Sequence, residues 1–440
     1  MYRIGIGLNR KVKFVLNLFN FSYIFSHKLF KNTFIYAGSN VINKAIPFFL
    51  LPIMTRYLTP TDYGIVATFS VLVAVMGVFV GLSMLGAVYV NFFKLNRDEL
   101  REYIGNVFFI LLSNFLLVLT IVYILKSYFS FFTKFPEDWI LFIVIVALFQ
   151  STSAIIIGLW QVEQKPLPYG LFQISGTILN VSLSLIFVVL LGRGWQGRLL
   201  GAIITSIVFG LLSIFIIIKR KYITISFNKK YIKDALFFGV PLIPHALGGW
   251  IINGIDRIFI SSMVNVAATG LYSVGYQVGM IIGLLAHSFN MAWSPFLFEK
   301  LKENNYSTKE KIVKFTYLYD VGIILVALAL SFIAPYFLKF FVSKDFYLAY
   351  KYVLWIALGY AFNGMYLMVV NYIFYVKKTY ILAWITFFSA GINIVLNYFF
   401  IKANGAIGAA QATTITFFVQ FVMVWILSAK VYKMPWKNIK

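Results

Sequence analysis

Apolar stretches of about twenty residues recur along the chain, each long enough to cross a bilayer as a helix. Twelve such spans are read at 33–55, 64–91, 104–126, 138–160, 168–191, 199–218, 234–262, 270–296, 313–337, 351–375, 380–401 and 406–428. Ahead of them, Phe14, Leu18, Phe21, Phe25 and Leu29 form one helical stripe, with Lys13, Asn17, Asn20, His27 and Lys31 off it. This predicts an amphipathic helix lying in the membrane interface over 1–30. It has neither the compact apolar core nor the small-residue cleavage site of a signal peptide. The connections are short and marked by Pro or Gly, as in LTPTDYG before the second span and VEQKPLPYG before the fifth. They leave no room for an extramembrane domain, so the pattern predicts an all-α polytopic membrane protein without sheet.

The spans also repeat. Asp62-Tyr63-Gly64-Ile65 opens span two and Ala268-Thr269-Gly270-Leu271 opens span eight, and from each glycine the next basic boundary residue, Lys94 or Lys300, lies 30 positions on. Asn180 and Gly192 in span five match Asn393 and Gly405 in span eleven, each pair twelve apart. The spacings predict a parallel duplication: an N-terminal six-helix lobe over 31–218, a basic linker over 219–233, a C-terminal six-helix lobe over 234–429 and a basic tail over 430–440.

Composition agrees with a chain whose solvent is lipid: of 440 residues, 61% are hydrophobic and 12% charged. The net charge of +24 would suggest nucleic acid in a soluble protein, but here the basic residues sit in short tracts between apolar spans. With the N-terminus placed in the cytoplasm, inside segments hold 27 of the 38 Lys and Arg residues and outside segments 10, and Lys44 lies mid-span. The asymmetry predicts both termini in the cytoplasm, with anionic membrane lipids and not nucleic acid as partners of the basic tracts. The absence of cysteine excludes disulfides, thiolate metal sites and thiol nucleophiles.

Polar residues within the spans mark candidate chemistry, because charges at membrane depth are costly unless they face protein or water. Span seven carries Pro241, Pro244, His245, Gly248, Gly249, Trp250, Asn253, Asp256 and Arg257. On a helical wheel His245, Gly249, Asn253, Asp256 and Arg257 fall within about 120°, which predicts a cavity-lining face. Lys44 in span one shares an arc with Asn40, Asn43 and Pro47, too deep for its amine to reach either surface. Arg56, at the outer end of that span, is a further candidate cation, and Ser273, Gln277 and His287 share a face of span eight. Asp256, with His287 assisting, is the candidate for binding a coupling proton or sodium ion; the competing reading locks Asp256 to Arg257. Gln173, Thr177, Asn180 and Ser184 in span five, and Thr386, Asn393 and Asn397 in span eleven, are read as helix-to-helix hydrogen bonds, and Asp320 as a partner of Lys314. No phosphate-binding loop, histidine cluster, Ser/His/Asp constellation or long outer loop is found, so neither an enzyme nor a cofactor or metal site is expected.

The twelve spans, LTPTDYG, and the run PLIPHALGGWIINGIDRIFISSMVNVAATGLYSVGYQ resemble the oligosaccharide flippases of bacterial polysaccharide synthesis, the O-antigen and capsule-repeat exporters of the multidrug/oligosaccharidyl-lipid/polysaccharide superfamily. The resemblance covers residues 31 to 430, and Pro241, Trp250, Asp256, Arg257, Gly270, Leu271 and Tyr272 are its most specific part. It implies two six-helix lobes in a V, a bacterial plasma-membrane location, alternating access, and a polyprenyl-diphosphate-linked oligosaccharide as cargo, with polysaccharide polymerase machinery as a partner. A diphosphate would be met by Lys44, Arg56 and Arg257, and the sugar by amide and aromatic groups such as Asn40, His245, Trp250, Asn253 and Gln277. Three alternatives are a multidrug extruder, which would have a more acidic cavity, a lipid-linked peptidoglycan-precursor flippase, which resembles fourteen spans, and a membrane polysaccharide polymerase, which would need a long outer loop.

Overall fold

The structure, a computed structural model, describes residues 27–436. The interfacial segment expected over 1–30 lies almost wholly outside the described residues, as do the last four residues of the basic tail. Among the described residues there is helix and no strand. The first half consists of α1 (His27–Tyr57), α2 (Pro60–Gly81), α3 (Met84–Phe92), α4 (Arg97–Thr133), α5 (Ile140–Val162), α6 (Pro166–Leu185) and α7 (Gly194–Lys219). The second half consists of α8 (Lys229–Gly239), α9 (Ile243–Met263), α10 (Val266–Gly279), α11 (Ile281–Lys302), α12 (Tyr306–Phe341), α13 (Tyr350–Tyr375), α14 (Tyr380–Asn404) and α15 (Ala406–Val431). Eleven stretches of helix among the described residues are long and apolar enough to cross a membrane, and α1 precedes them in the first position. The chain is a multi-pass membrane protein.

Within the first half, α5 packs on α2 and α7, and α6 on α1 and α7; within the second, α13 and α14 both pack on α15, α12 on α13, and α9 on α14. Each half buries its own apolar clusters, Ile104, Val107, Ile156 and Leu159 in one and Ala357, Val369, Val370 and Val424 in the other.

Several spans that read as continuous are broken. Span two stops at Leu82 and Ser83, both left-handed (φ 46° and 55°), and restarts as α3. Span seven is interrupted by a single 3-10 turn at Val240–Leu242, where Pro241 has no amide hydrogen to offer the helix. Span eight bends at Met280, after Gly279 packs against Ile356. Conversely, α4 and α12 outrun the expected 104–126 and 313–337. At 37 residues α4 is about 55 Å long, well beyond the hydrocarbon thickness. Its first turn is polar and is held by the reciprocal cap of Asn96 and Glu99, which a hydropathy reading does not register.

The joint between halves is asymmetric. Residues 220–228 form no helix, and α8 then lies on the first half: Asp234 accepts hydrogen bonds from Asn91 (3.1 Å) and Tyr103 (2.9 Å), Ala235 is fully buried, and a Cβ on Gly239 would stand 2.1 Å from the Leu82 carbonyl. Beyond the 240–242 turn the same span becomes α9, which packs on α14 and α10 of the second half and on α2 of the first. Alternation of the spans puts the turns at 58–59 and 264–265 at one end, opposite the C-terminus, and the 220–228 segment at the C-terminal end. Cysteines replacing Ser127 and Lys302 are therefore expected to react with an impermeant reagent from opposite faces. Labelling of both from one face would refute this topology.

Candidate functional site

The end opposite the C-terminus is sealed by the starts of α2 and α10. The TPTDYG stretch is a helix cap: Thr59 Oγ1 accepts from the Asp62 amide (3.1 Å), Asp62 Oδ2 accepts from the Thr59 amide (2.9 Å), and Pro60 occupies the first turn. Asn265 caps α10 in the same way, its side chain accepting from the Ala268 amide at 2.7 Å. The two capped ends then cross at glycine. A Cβ on Gly64 would stand 2.0 Å from the Val266 carbonyl oxygen, and one on Gly270 1.9 Å from that of Pro60. The two glycines that marked the repeat therefore face each other's helices, and only hydrogen fits there. Moving away from that end, Thr68 and Ser261 hydroxyls meet at 3.4 Å and Trp250 Nε1 donates to the Val71 carbonyl at 3.0 Å, so the α2 seam continues down α9. Tyr63 adds a link, accepting from Gln277 Nε2 at 3.0 Å.

Beneath the seal lies a cavity of about 840 Å³ between the halves, walled by α1, α2, α9, α10 and α11. One arginine enters it from each half. Arg257 donates through Nη1 to the Asn253 carbonyl (2.7 Å) and to Asp256 Oδ1 (2.8 Å), and its guanidinium lies 3.9 Å from the centroid of the Tyr276 ring. Arg198 donates through Nη1 to Asn180 Oδ1 and Ser184 Oγ, both at 2.9 Å. Arg198 is braced on one edge through Nη1, which leaves the rest of its fork for a cavity ligand, whereas Arg257 is also engaged by the Tyr276 side chain. The described lining residues include no carboxylate. In a site of low dielectric, two braced arginines and a Trp, Tyr and amide surround suit an anion carrying a polar body.

Of the predicted residues, Trp250, Asn253, Arg257 and Gln277 line the cavity. The face expected on span seven is displaced: the cavity sees Trp250, Asn253, Gly254 and Arg257, centred about 120° round from His245 and Asp256. His245 is exposed away from the lining. Asp256, 1% exposed, turns from the cavity into the α10 interface, where Oδ2 accepts the Tyr272 hydroxyl while Oδ1 holds Arg257. Arg56 and His287 are exposed and do not belong to the lining. The side chains of Asn40 and Lys44 lie outside the described residues; their neighbour Asn43 lines the cavity, donating to Gln173 Oε1 (2.7 Å) and accepting from Thr177 (2.9 Å). Arg198 went unrecognised because it stands near a polar connection and reads as a surface anchor. The span-five stripe was the available signal, since Asn180 and Ser184 are its braces. Tyr63 and Tyr276, also missed, are phenols in an aromatic-rich chain, and only the tertiary contact separates them from packing residues.

Residues 29–301 match the family described as polysaccharide biosynthesis protein, and residues 241–399 match the MatE family. An uncharacterized membrane protein of Haemophilus influenzae is 28% identical, over 80% of this chain and 85% of its own. The capsular polysaccharide biosynthesis protein CapF of Staphylococcus aureus is 22% identical, over 63% of this chain and 67% of its own. Among solved structures, the lipid II flippase MurJ in an inward closed conformation superposes with a TM-score of 0.71 at 18% identity, covering 91% of this chain and 87% of that one. At that identity the likeness speaks to the fold alone.

Proposed function

Because the chain belongs to the polysaccharide biosynthesis protein family, of transporter fold, we propose that it is a flippase for polyprenyl-diphosphate-linked oligosaccharide units. It works by alternating access in a bacterial plasma membrane, with both termini in the cytoplasm. The observation that carries this reading is the cavity with one braced arginine from each half and no carboxylate on its described lining. A diphosphate bridges the two guanidinium groups, the sugars meet Trp250, Asn253 and Gln277, and the prenyl chain stays in lipid between the halves. The α2–α10 seal closes the outward exit while the cargo loads from the cytoplasmic side. A cationic-drug exporter would want the opposite cavity charge. The test is translocation of a fluorescent polyprenyl-diphosphate oligosaccharide in proteoliposomes. Transport of the lipid-linked sugar, with none of a cationic dye, is expected; the reverse result would refute the proposal.

A second reading concerns coupling through Asp256, with His287 assisting. Both oxygens of Asp256 are occupied, by Arg257 and by the Tyr272 hydroxyl, which favours the role of fixed counter-ion over ion exchange. Asp256→Asn is therefore expected to leave any dependence on an imposed proton or sodium gradient in place. Abolition of that dependence, with transport retained, would assign the coupling to Asp256.

A further inference from the structure

At the C-terminal end of the first half lies a second basin, of about 550 Å³, that shares no lining residue with the central cavity. Three connections converge on it: the start of α4, the α5–α6 turn, and the first residues after α7. They bring Arg97, Arg101, Lys165, Arg220 and Lys221 together, with Glu163 as the acid lining it. Glu163 is already committed. Its Oε2 lies 2.8 Å from Lys165 Nζ, and both of its oxygens accept the Tyr222 hydroxyl at 2.7 Å. Burial, reinforced by Glu163, pushes the Tyr222 phenol up to about 12, so it stays a donor throughout the physiological range. Arg101 is bound through Nη1 to the exposed Asp98 at 2.8 Å, while its Nε is buried without a partner.

The walls are built as well as charged. The Thr224 amide donates to the Arg101 carbonyl at 3.1 Å, and a Cβ on Gly105 would stand 2.1 Å from the Thr224 carbonyl oxygen, so the linker is pressed onto α4. The Asn228 amide donates to Asn106 Oδ1 (2.9 Å) and its side chain to Glu102 (3.2 Å), closing the strap a turn further on. Cations from three segments are thus held around one hollow at the level where the helices leave the apolar zone. A buried guanidinium nitrogen lacking an acceptor marks where an oxygen anion would be received.

We propose that this basin binds a phosphate group, either that of an anionic phospholipid at the membrane surface or that of a soluble phosphate compound. Basic pockets between helices at the membrane boundary suit such headgroups, and each cation near the surface strengthens the attraction. The site stands apart from transport and does not depend on the identity of the cargo.

The experiment is intact-complex mass spectrometry of the detergent-purified full chain with phosphatidylglycerol or phosphatidylcholine of matched acyl chains, with and without inorganic phosphate. Phosphatidylglycerol is expected to exceed phosphatidylcholine in occupancy by about tenfold. The preference should disappear in R97Q/R101Q/R220Q and persist in K229Q/K230Q/K233Q, which removes the same charge from exposed positions on α8. Displacement of the lipid by millimolar inorganic phosphate would assign a soluble phosphate ligand; retention would assign the lipid. If the triple arginine variant does not melt cooperatively, Arg220→Gln alone is read, with about a threefold loss expected. Equal occupancy by the two lipids with no phosphate binding, or equal loss in both triple variants, would overturn the proposal.

Discussion

Gly270→Ala together with Gly64→Ala is expected to cut transport by about a hundredfold or more, and Gly270→Ala alone by about tenfold, while the protein still inserts. The added carbon at residue 270 would stand 1.9 Å from the Pro60 carbonyl oxygen, and at residue 64 it would stand 2.0 Å from that of Val266. Both obstacles are backbone on a capped first turn, which cannot swing aside as a flexible side chain would. The helices must separate, and overpacking of a close contact costs about 1–3 kcal/mol per site. Two sites acting on one contact are enough to shift a two-state equilibrium by a factor of about a hundred. The loss is therefore conformational: the sealed state is depleted, and the cavity should stand open at the end that is normally closed. Cysteine in place of the cavity residue Ser70 reports this directly. A bulky impermeant thiol reagent added from the side of the 58–59 turn should spare the parent and label the glycine variant. Parent-like transport by the double alanine variant would remove the seal from the mechanism.

Arg198→Ala should lower transport of a diphosphate-linked cargo by about ten- to a hundredfold, the value of one or two charge-assisted hydrogen bonds. Arg198→Lys should recover part of it, since the charge remains but the planar fork does not. This residue is the cleaner probe of the two arginines, because its braces, Asn180 and Ser184, are neutral and its removal leaves no unpaired charge behind. Arg257→Ala should be at least as damaging to transport, but it strips Asp256 of its cation in the interior, which by itself costs about 3–5 kcal/mol of stability. Comparison with Asp256→Asn/Arg257→Gln, which removes both charges together, separates the two effects. If the double variant is stable yet inactive, Arg257 acts on the cargo; if it transports at the parent rate, Arg257 serves only the fold. Binding of the lipid-linked sugar, followed by its retention on the purified chain, provides the readout alongside transport. Undiminished retention by Arg198→Ala would separate this arginine from the cargo.

The helical class and the succession of spans were legible because lipid imposes one rule over the whole chain: about twenty apolar residues and no unpaired backbone. Helix ends were less so, since α4 and α12 continue past the apolar zone on polar caps that hydropathy passes over. Breaks inside spans were poorly legible for a related reason. Leu82 and Ser83 adopt a left-handed geometry that neither residue type announces, and its counterpart, Gly239 seated on the Leu82 carbonyl, comes from more than 150 positions away. In the site, Arg257 could be found because a charge in the middle of an apolar run is conspicuous. Its partner Arg198 could not, because it stands four residues into α7 after a polar turn. A wheel drawn for span seven collected His245, Asp256 and Arg257 on one arc, yet a buried helix presents different faces to different neighbours. Asp256 answers to Tyr272 on α10, not to the cavity.

The placement of α8 gives the chain the character of an exchanged arm. It is covalently the beginning of the second half, yet Asp234, Ala235 and Gly239 are seated in the first. A chain cut at residue 226 would leave a first fragment with an unfilled groove and a second fragment carrying the element that fills it. Co-expressed, the two fragments have a built-in reason to find each other, and they should reassemble without the peptide bond between them. A cut in the 240–242 turn, by contrast, would leave α8 with the first fragment and deprive the second of its handle. The single span that passes from one half to the other is therefore a mechanical tether: whatever tilt the halves undergo about each other, residue 239 travels with one and residue 243 with the other.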